Sequence, residues 1–389
     1  MEKTQLILSD NQYWEAFLPL TFTRPVAELR CGILTFTERW QKLLNSESIS
    51  FLTEEYLQQK FQKPNEKESL LIVPNFIPNA DLLEKIKHLK IGEGIVYQNE
   101  IIVARIENPN FPIQKIEKKI EIKDNILFFN KLPDLFLKNT QAIDFDFELI
   151  TKGKKSQPIS KTNGILGNPE HIFLEEGAII EYCTLNTSKG KIYIGRDAEV
   201  MEGCHLRGAI SLGEHSIFNM GAKIYGSTTI GPHCKIGGEV NNLIVFGYSN
   251  KAHDGFLGNS VIGEWCNIGA DTNSSNLKNT YNNINLWSYK TKHFEDSGLQ
   301  FCGLLMGDHS KTAINTQLNT GTTVGVFANI FKEGFLPKYI DNFSWGGIMG
   351  EERFLLEEAY KLAERVMLRR NKTLSDEDKN ILKFIYEKY

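Results

Sequence analysis

A histidine and two asparagines between Asn250 and Tyr281 form the grouping in this chain that is best suited to acid–base chemistry. His253 comes first, and Asn267 and Asn276 follow it along the same segment. An imidazole has a pKa near 6.5, so it can accept a proton from an attacking group at neutral pH. Taken alone, a histidine in a polar loop is more often a hydrogen-bonded surface residue, and an asparagine can instead stabilise a turn. What these side chains do depends on the elements that hold them.

A six-residue repeat surrounds this segment. Apolar residues recur at every sixth position from Ile194, and the residue two places earlier is usually small. The repeated positions are Ile194, Val200, Leu206, Leu212, Phe218, Ile224, Ile230 and Ile236. A glycine often follows and tolerates the positive φ of a tight corner. A chain that turns every six residues buries its aliphatic side chains only by stacking coils, which predicts a parallel β-helix over residues 164–347. The alternative, a β-sandwich, would show period-2 alternation. The interruption between Gly237 and Leu257 predicts a protruding loop that carries function.

The rest of the chain divides into three further segments. Residues 1–150 alternate strand-like and helical stretches, which predicts an α/β domain with a partly parallel sheet. The expected strands are Gln5–Leu8, Ser69–Val73, Ile95–Arg105 and Ile120–Phe129, and the expected helices are Thr35–Leu44 and Asn79–Leu89. Residues 151–163 are polar and aperiodic, which is typical of a linker. Residues 348–389 have helical periodicity from Glu351 and a capping-box spacing at Ser375, so we expect helices that cap the β-helix or clasp a neighbouring subunit.

Composition excludes several classes of function. The net charge of −4 offers no general attraction to nucleic acid or to an acidic membrane surface. No apolar run is long enough for a signal peptide or a membrane-spanning helix. The six cysteines form no C-x-x-C pair and no metal-ligand spacing, so we expect buried, reduced thiols and a cytoplasmic protein.

The segment around His253 resembles the acetyltransferase signature of the bifunctional enzymes that make UDP-N-acetylglucosamine. The matching residues are His253, Gly258, Asn267, Ile268, Gly269, Ala270, Thr272 and Asn276, and the spacings from the histidine to the two asparagines also fit the signature. Together with LPLTFTRPVAELRCGILTF near the start and FSWGG at 343–347, the chain is similar over nearly its whole length to one shorter bacterial family. That family is described as an alternative UDP-N-acetylglucosamine diphosphorylase/glucosamine-1-phosphate N-acetyltransferase. The resemblance implies a left-handed β-helix, a shortened nucleotidyltransferase-like domain and a C-terminal helical arm.

The resemblance also implies roles for single residues. With acetyl-CoA as acyl donor, His253 would be the general base, and a main-chain N–H of the Gly269–Ala270 turn would stabilise the oxyanion. Asn267 and Asn276 would orient the sugar or the base. Four further residues are candidates for binding the sugar phosphate: Lys223, Lys251, Asn241 and Phe256. The last two depart from the family, which often has a lysine and a tyrosine there, so the acceptor sugar can differ. Relatives of this type are homotrimers, and we expect the same here.

The first domain departs further from its relatives. Sugar nucleotidyltransferases normally carry a G-x-G-T-R-M loop after the first strand, and its N–H groups hold the triphosphate. This chain has no glycine before Gly32. Asp10 could hold a metal such as Mg²⁺, or it could cap a turn, and Arg24 could meet the phosphates of UTP.

These observations predict a cytoplasmic, trimeric enzyme that N-acetylates an amino-sugar-1-phosphate, with glucosamine-1-phosphate favoured. Nucleotidyl transfer to a UDP-sugar is a second expected activity. One alternative is a nucleotidyltransferase, forming a UDP- or dTDP-sugar, whose β-helix serves only for trimerisation. Another is a non-catalytic regulatory scaffold. We expect small-molecule partners, namely a sugar phosphate, acetyl-CoA and UTP, and neither nucleic acid nor a membrane.

Overall fold

The computed structural model describes residues 5–65, 67–348, 350 and 352–389, and these residues form two compact units. The first unit comprises residues 5–17, 23–29 and 34–132, and the second comprises residues 18–22, 30–33 and 133–389. Residues 133–163 therefore pack with the second unit, while the predicted domain boundary at 150 and the linker stay predictions. The start of the C-terminal helical pattern at Glu351 lies outside the described residues.

The first unit is an α/β domain built on a six-stranded mixed sheet. The elements are β1 (Gln5–Ser9), α1 (Phe36–Leu44), β2 (Ile49–Leu52), β3 (Ser69–Ile72), β4 (Phe76–Ile77), α2 (Ala80–Lys87), β5 (Glu93–Tyr97), β6 (Glu100–Ile106), β7 (Lys118–Glu121) and β8 (Leu127–Phe128). The strand order in the sheet is β2-β1-β3-β6-β5-β7. Strand β1 pairs in parallel with β2 and β3, and β6 is antiparallel to both its neighbours. The core includes Leu6, Ile72 and Val103.

Local signals explain why these elements begin where they do. Thr35 caps α1 through a capping box, and the Asn79 side chain accepts from the Leu82 N–H at the start of α2, as its residue type predicts. The single strand expected over Ile95–Arg105 is instead a hairpin. Gln98 and Asn99 turn the chain with φ of 50° and 69°, so β5 and β6 pair antiparallel. The turn contains no glycine, and the sequence pattern therefore did not mark it.

The second unit is a left-handed parallel β-helix of about ten turns over residues 164–346, preceded and followed by helices. The first face contains β10 (Ile172–Leu174), β13 (Ile192–Ile194), β16 (Ile210–Leu212), β19 (Thr228–Ile230), β27 (Leu305–Met306), β30 (Thr323–Val324) and β32 (Tyr339–Ile340). The second face contains β11 (Ile179–Ile180), β14 (Glu199–Val200), β17 (Ile217–Phe218), β20 (Lys235–Ile236), β22 (Asn250–Lys251), β28 (Lys311–Thr312), β31 (Asn329–Ile330) and β33 (Trp345–Gly346). The third face contains β9 (Gly164–Leu166), β12 (Thr184–Asn186), β15 (His205–Arg207), β18 (Lys223–Tyr225), β24 (Asn273–Ser274) and β29 (Gln317–Leu318).

Two long strands, β21 (Glu239–Val245) and β23 (Phe256–Ile262), run from the third face into the first. Four helices complete the unit: α3 (Asp134–Leu137), α4 (Asn139–Thr151), α5 (Leu356–Leu368) and α6 (Asp376–Lys388). A short hairpin of β25 (Asn285–Ser288) and β26 (His293–Asp296) projects from the coil that follows β24. The capping box predicted at Ser375 is confirmed.

The interrupted repeat has a different cause from the predicted protruding loop. Lys235 pairs with Asn250, and Asn250 pairs with Asn267. Each of these two coils contains fewer residues than a regular coil, such as the one from His205 to Lys223. The six-residue repeat loses its phase here because corners of the coil are shorter. The protruding insertion lies later, in the much longer step by which Asn267 pairs with Lys311. The prediction of a loop between Gly237 and Leu257 was therefore wrong.

The aliphatic residues of the repeat point into the coil and form one continuous core from Ile172 to Ile340. All six cysteines are buried, as predicted. No helix within the described part of the chain is long and apolar enough to cross a bilayer.

Candidate functional site

His253 lies at the corner of the β-helix between β22 and β23, with its side chain exposed. Asn250 pairs with Asn267 in the next coil. The same register places His253 directly beneath Ala270. Adjacent coils are one strand spacing apart, about 4.8 Å. The structure thus brings the histidine and the predicted main-chain donor to the same corner.

The turn above the histidine contains one main-chain donor that is available to a ligand. The Gly269 N–H donates to Thr312 Oγ1 at 2.9 Å and is already engaged. The Ala270 N–H has no acceptor among the residues that the structure describes. The Asp271 N–H donates to the Asp254 carbonyl at 3.0 Å, which keeps the turn in register with the corner below it. Of the two predicted donors, Ala270 is therefore the one that can meet an oxyanion.

A groove of about 660 Å³ runs along the third face, which is the face that the chain enters after His253. The polar part of its lining consists of Thr184, Asn186, His205, Arg207, Lys223, Tyr225 and Glu239. Lys223 Nζ lies 3.2 Å from Glu239 Oε2, and the Tyr225 hydroxyl donates to Glu239 Oε1 at 2.7 Å. These two groups, the hydroxyl first, hold the pKa of the Glu239 carboxyl below its usual value. With basic side chains on neighbouring strands, the groove suits an anionic ligand such as a phosphate.

His205 and Arg207 also line this groove, although the sequence pattern did not mark them as binding residues. The repeat contains the signal, because one full coil counted back from Lys223 reaches His205. The register confirms the count: His205 pairs with Lys223 between β15 and β18. Counting outward-facing positions along the repeat, in addition to the inward-facing ones, would therefore have found the histidine.

Phe256 and Asn241 stand on the third face above the groove. Phe256 pairs with Glu239, so it continues the row of Lys223, and Asn241 pairs with Gly258. Gly258 is closely covered: a Cβ there would lie 2.5 Å from Asn276 Nδ2 and 2.7 Å from the Phe256 ring. Phe256, Asn241 and Asn276 thus lie together around one glycine.

The two predicted asparagines lie on opposite sides of the corner. The Asn276 side chain donates to Asn259 Oδ1 at 2.8 Å and belongs to the third face. Asn267 is exposed on the second face, where its main-chain N–H donates to the Ser310 carbonyl at 3.1 Å. The corner at His253 thus lies between the two asparagines along the coil, and Asn276 is hydrogen-bonded to Asn259 at the other end of the third face.

Lys251, predicted to bind the sugar phosphate, is instead inside the coil. Its side chain is 2% exposed, and Nζ donates to the carbonyls of Gly237 at 3.0 Å and His253 at 2.5 Å. Burial lowers the pKa of the ammonium to about 8. A phosphate in the groove cannot reach a group that is enclosed in this way, so a direct ligand role does not fit the geometry.

In the first unit, Asp10 follows β1 and Thr53 follows β2 at the same edge of the sheet, where Ser9 pairs with Leu52. The carboxyl ends of parallel strands are a common place for ligands. Asp10 is buried, however; Oδ1 accepts from the Val26 N–H at 2.8 Å and Oδ2 accepts from the Thr53 hydroxyl. Burial raises the pKa of the carboxyl to about 7. Both oxygens are therefore committed to the protein.

The metal predicted at Asp10 does not fit this environment. A buried carboxyl with two hydrogen bonds offers little to a Mg²⁺ ion, which binds through exposed carboxylates and substrate phosphates. No group of three or more His, Cys, Asp or Glu side chains that could hold a metal occurs in the part of the chain that the structure describes. Arg24 is also buried, two residues before the Val26 N–H that binds Asp10. The structure thus places the two predicted nucleotide-site residues on neighbouring segments.

Comparisons with known proteins found one family model and several curated relatives. Residues 6–155 match the family model of sugar nucleotidyl transferases, although the glycine-rich loop is absent. A bifunctional sugar-1-phosphate nucleotidylyltransferase/acetyltransferase of Sulfurisphaera tokodaii is 30% identical over 145 residues, which is 37% of this chain and 36% of the relative. The bifunctional protein GlmU of Picosynechococcus sp. is 29% identical over 175 residues, 44% of this chain and 30% of the relative. GlmU of Trichodesmium erythraeum is 28% identical over 145 residues, 37% of this chain and 26% of the relative.

The matches span about a third or less of the length of these curated relatives. They nonetheless agree with one another in kind, since each relative is named for a bifunctional protein and the matching domain model is a sugar nucleotidyl transferase. The comparisons thus support a relationship of this chain to the GlmU-like transferases.

Proposed function

We propose that the β-helix transfers an acetyl group from acetyl-CoA to the amine of an amino-sugar-1-phosphate, with glucosamine-1-phosphate as the favoured acceptor. The observation that carries the proposal is the stacking of His253 beneath Ala270, whose N–H has no acceptor among the described residues. A base and an oxyanion donor on adjacent coils meet the two needs of acyl transfer to an amine.

Each group has a defined part in the step. The imidazole of His253 takes a proton from the amine as its nitrogen forms a bond to the thioester carbonyl carbon. The Ala270 N–H donates to the oxygen that becomes negative. The carbon–sulfur bond then breaks, and the leaving thiolate takes the proton from the His253 imidazolium, which restores the neutral base. Ile314 is 68% exposed at the same corner one coil further on, which suits the apolar arm of the acyl donor.

The groove on the third face is proposed to hold the acceptor. Lys223 and Arg207 would bind its phosphate, and Asn276 would orient the sugar near the histidine. Phe256 and Asn241 stand where the family often has a tyrosine and a lysine. The first change removes a hydroxyl donor and the second replaces a charged donor with a neutral amide. We therefore expect weaker polar contacts with the acceptor at that end, and more of its binding in the groove below.

The first unit is proposed to transfer a nucleotidyl group from UTP to the sugar phosphate. The support is the domain match over residues 6–155. With no glycine-rich loop, we assign the contact with the triphosphate to side chains, and Arg24 is the candidate although it is buried here. No step is assigned to Mg²⁺, because Asp10 does not fit a metal.

We further propose a homotrimer of parallel β-helices. The coils expose several apolar side chains, among them Leu166, Tyr182 and Met220, which a neighbouring subunit would cover. Light scattering at micromolar concentration should give three times the chain mass of 44.3 kDa. A monomeric mass would overturn this part of the proposal.

The function is tested by turnover of purified protein with acetyl-CoA and a panel of amino-sugar phosphates, with and without UTP and Mg²⁺. We expect CoA release that depends on the amino sugar and needs neither UTP nor Mg²⁺. Nucleotide-sugar formation without any CoA release would favour a nucleotidyltransferase with a purely structural β-helix. Failure to bind acetyl-CoA and UTP alike would favour a non-catalytic scaffold.

A further inference from the structure

Lys251 occupies a position at which neighbouring coils carry apolar core residues. It pairs with Ile236 in the coil below, and the pairing of Asn250 with Asn267 places Ile268 above it. Further down, the same column contains Phe218 and Val200. A lysine is rarely buried in such a column, because desolvating its ammonium group costs free energy. A lysine that interrupts an apolar column in spite of this desolvation cost is a candidate for a function other than packing.

The ammonium group of Lys251 is bound to the corner that carries the histidine. Nζ donates to the His253 carbonyl at 2.5 Å and to the Gly237 carbonyl at 3.0 Å. The side chain lies inside the coil, and its ammonium group reaches the main-chain carbonyl of His253, two residues later in the chain. The carboxylates of Asp254 and Asp271 are near enough to favour the charged form. The lysine therefore joins the main chain of this corner to the corner of the coil below it.

Three successive carbonyls of the corner are held from three directions. The Asn219 amide donates to the Ala252 carbonyl at 2.7 Å, Lys251 donates to the His253 carbonyl, and the Asp271 N–H donates to the Asp254 carbonyl at 3.0 Å. The first donor comes from two coils below the corner, the second from inside the coil and the third from the coil above. A main chain restrained in this way limits where the exposed imidazole can lie.

We propose that Lys251 is a positioning residue, which fixes the main chain at His253 from inside the β-helix and so holds the imidazole in line with the Ala270 N–H. This inference rests on the proposed acyl transfer at that corner. It assigns to the lysine no contact with either substrate, in contrast to the direct ligand role that the sequence predicted.

The variant Lys251→Met separates positioning from packing. Methionine has nearly the length of lysine and suits an apolar column, so the free energy of unfolding should stay equal or rise. Without the ammonium the corner loosens, and kcat should fall about 10- to 100-fold, since small misplacements of catalytic groups have effects of this size. KM for acetyl-CoA should change little. The dependence of kcat on pH should persist, because the base is still present.

The matched control is Ile236→Met, which puts the same side chain into the same column one coil below. It should leave kcat within about twofold of the parent. A fully folded Lys251→Met protein with kcat within twofold of the parent would overturn the inference and leave the acyl-transfer proposal intact.

Hydrogen–deuterium exchange gives a readout that needs no activity. Peptides covering residues 252–257 should exchange faster in Lys251→Met than in the parent, and Ile236→Met should resemble the parent there. Unchanged exchange in that segment would also overturn the inference. If the parent transfers no acetyl group but the exchange result holds, the proposed function fails while the lysine's hold on the corner stands.

Discussion

The two candidate sites of this chain differ in how their key side chains are presented. In the β-helix, His253 is exposed at a corner, and the Ala270 N–H above it has no acceptor among the described residues. In the first unit, Asp10 is buried and both of its oxygens accept hydrogen bonds from the protein. The first arrangement leaves its groups available to a ligand. The second uses a polar group to hold two segments together, as buried carboxyls often do.

This contrast shows that a motif is a reliable guide where the fold converts sequence spacing into distance by a constant rule. In a β-helix, an offset of about one coil places residues one strand spacing apart, so the spacing from His253 to Ala270 already limits where the two residues lie relative to each other. In an α/β domain, the chain between two residues runs through turns and helices whose geometry the local sequence does not define. The same sequence separation therefore does not specify the distance between them. A residue such as Asp10 then resembles a ligand in sequence while serving the fold.

The largest expected effect concerns the first unit. If Arg24 meets the triphosphate, Arg24→Ala should abolish nucleotide-sugar formation, because no glycine-rich loop replaces its contacts. Acetyl transfer should stay within a few-fold of the parent. Coupled assays for pyrophosphate and CoA would measure both. Arg105→Ala, in β6 and paired with Glu68, is the control for loss of an arginine in the same unit. A parent-like rate of nucleotide-sugar formation in the Arg24 variant would show that the assignment is wrong.

Much of the β-helix was predictable and part of its site was not. The six-residue repeat predicted the fold because each inward position recurs at a constant interval. The same count fails above Ile236, where the next coil is shortened and Lys251 takes the inward position. Counting in sixes places Lys251 outside the column, so the repeat gave no sign that this lysine is buried. In the first unit, the environment of Asp10 depends on Val26 and Thr53, which no local pattern connects to it.

A smaller effect is expected in the groove. Lys223→Ala should raise KM for the acceptor about 10-fold, because one charged hydrogen bond to a phosphate is lost, and kcat should change less. Initial rates at varied acceptor concentration would measure the change. Lys235→Ala removes an exposed lysine from the second face and should leave KM unaltered. Equal values of KM in parent and Lys223 variant would place the acceptor elsewhere.

A further effect concerns stability and not activity. Burial raises the pKa of Asp10 from 3.8 to about 7, so the folded state holds this proton more tightly than the unfolded chain does. The resulting stabilisation is complete below about pH 4 and is lost as the pH rises towards 7, amounting to at most about 4 kcal/mol. Asp10→Asn should lack this loss. Urea unfolding across that pH range would measure the difference, with the exposed Asp124→Asn as a control that follows the parent. Parallel pH curves for parent and Asp10→Asn would contradict the account of this carboxyl.

The most direct test of the account is the pH dependence of acetyl transfer in the parent and in His253→Ala. The parent's kcat should rise with pH as its general base loses a proton. In the variant that rise should vanish and kcat should be about 10²- to 10⁴-fold lower, with KM for acetyl-CoA little changed, because the Ala270 donor remains. His88→Ala, an exposed histidine of the first unit, should behave as the parent does. If folded His253→Ala instead retains kcat within a few-fold and the same pH profile, the corner is not the site of acyl transfer.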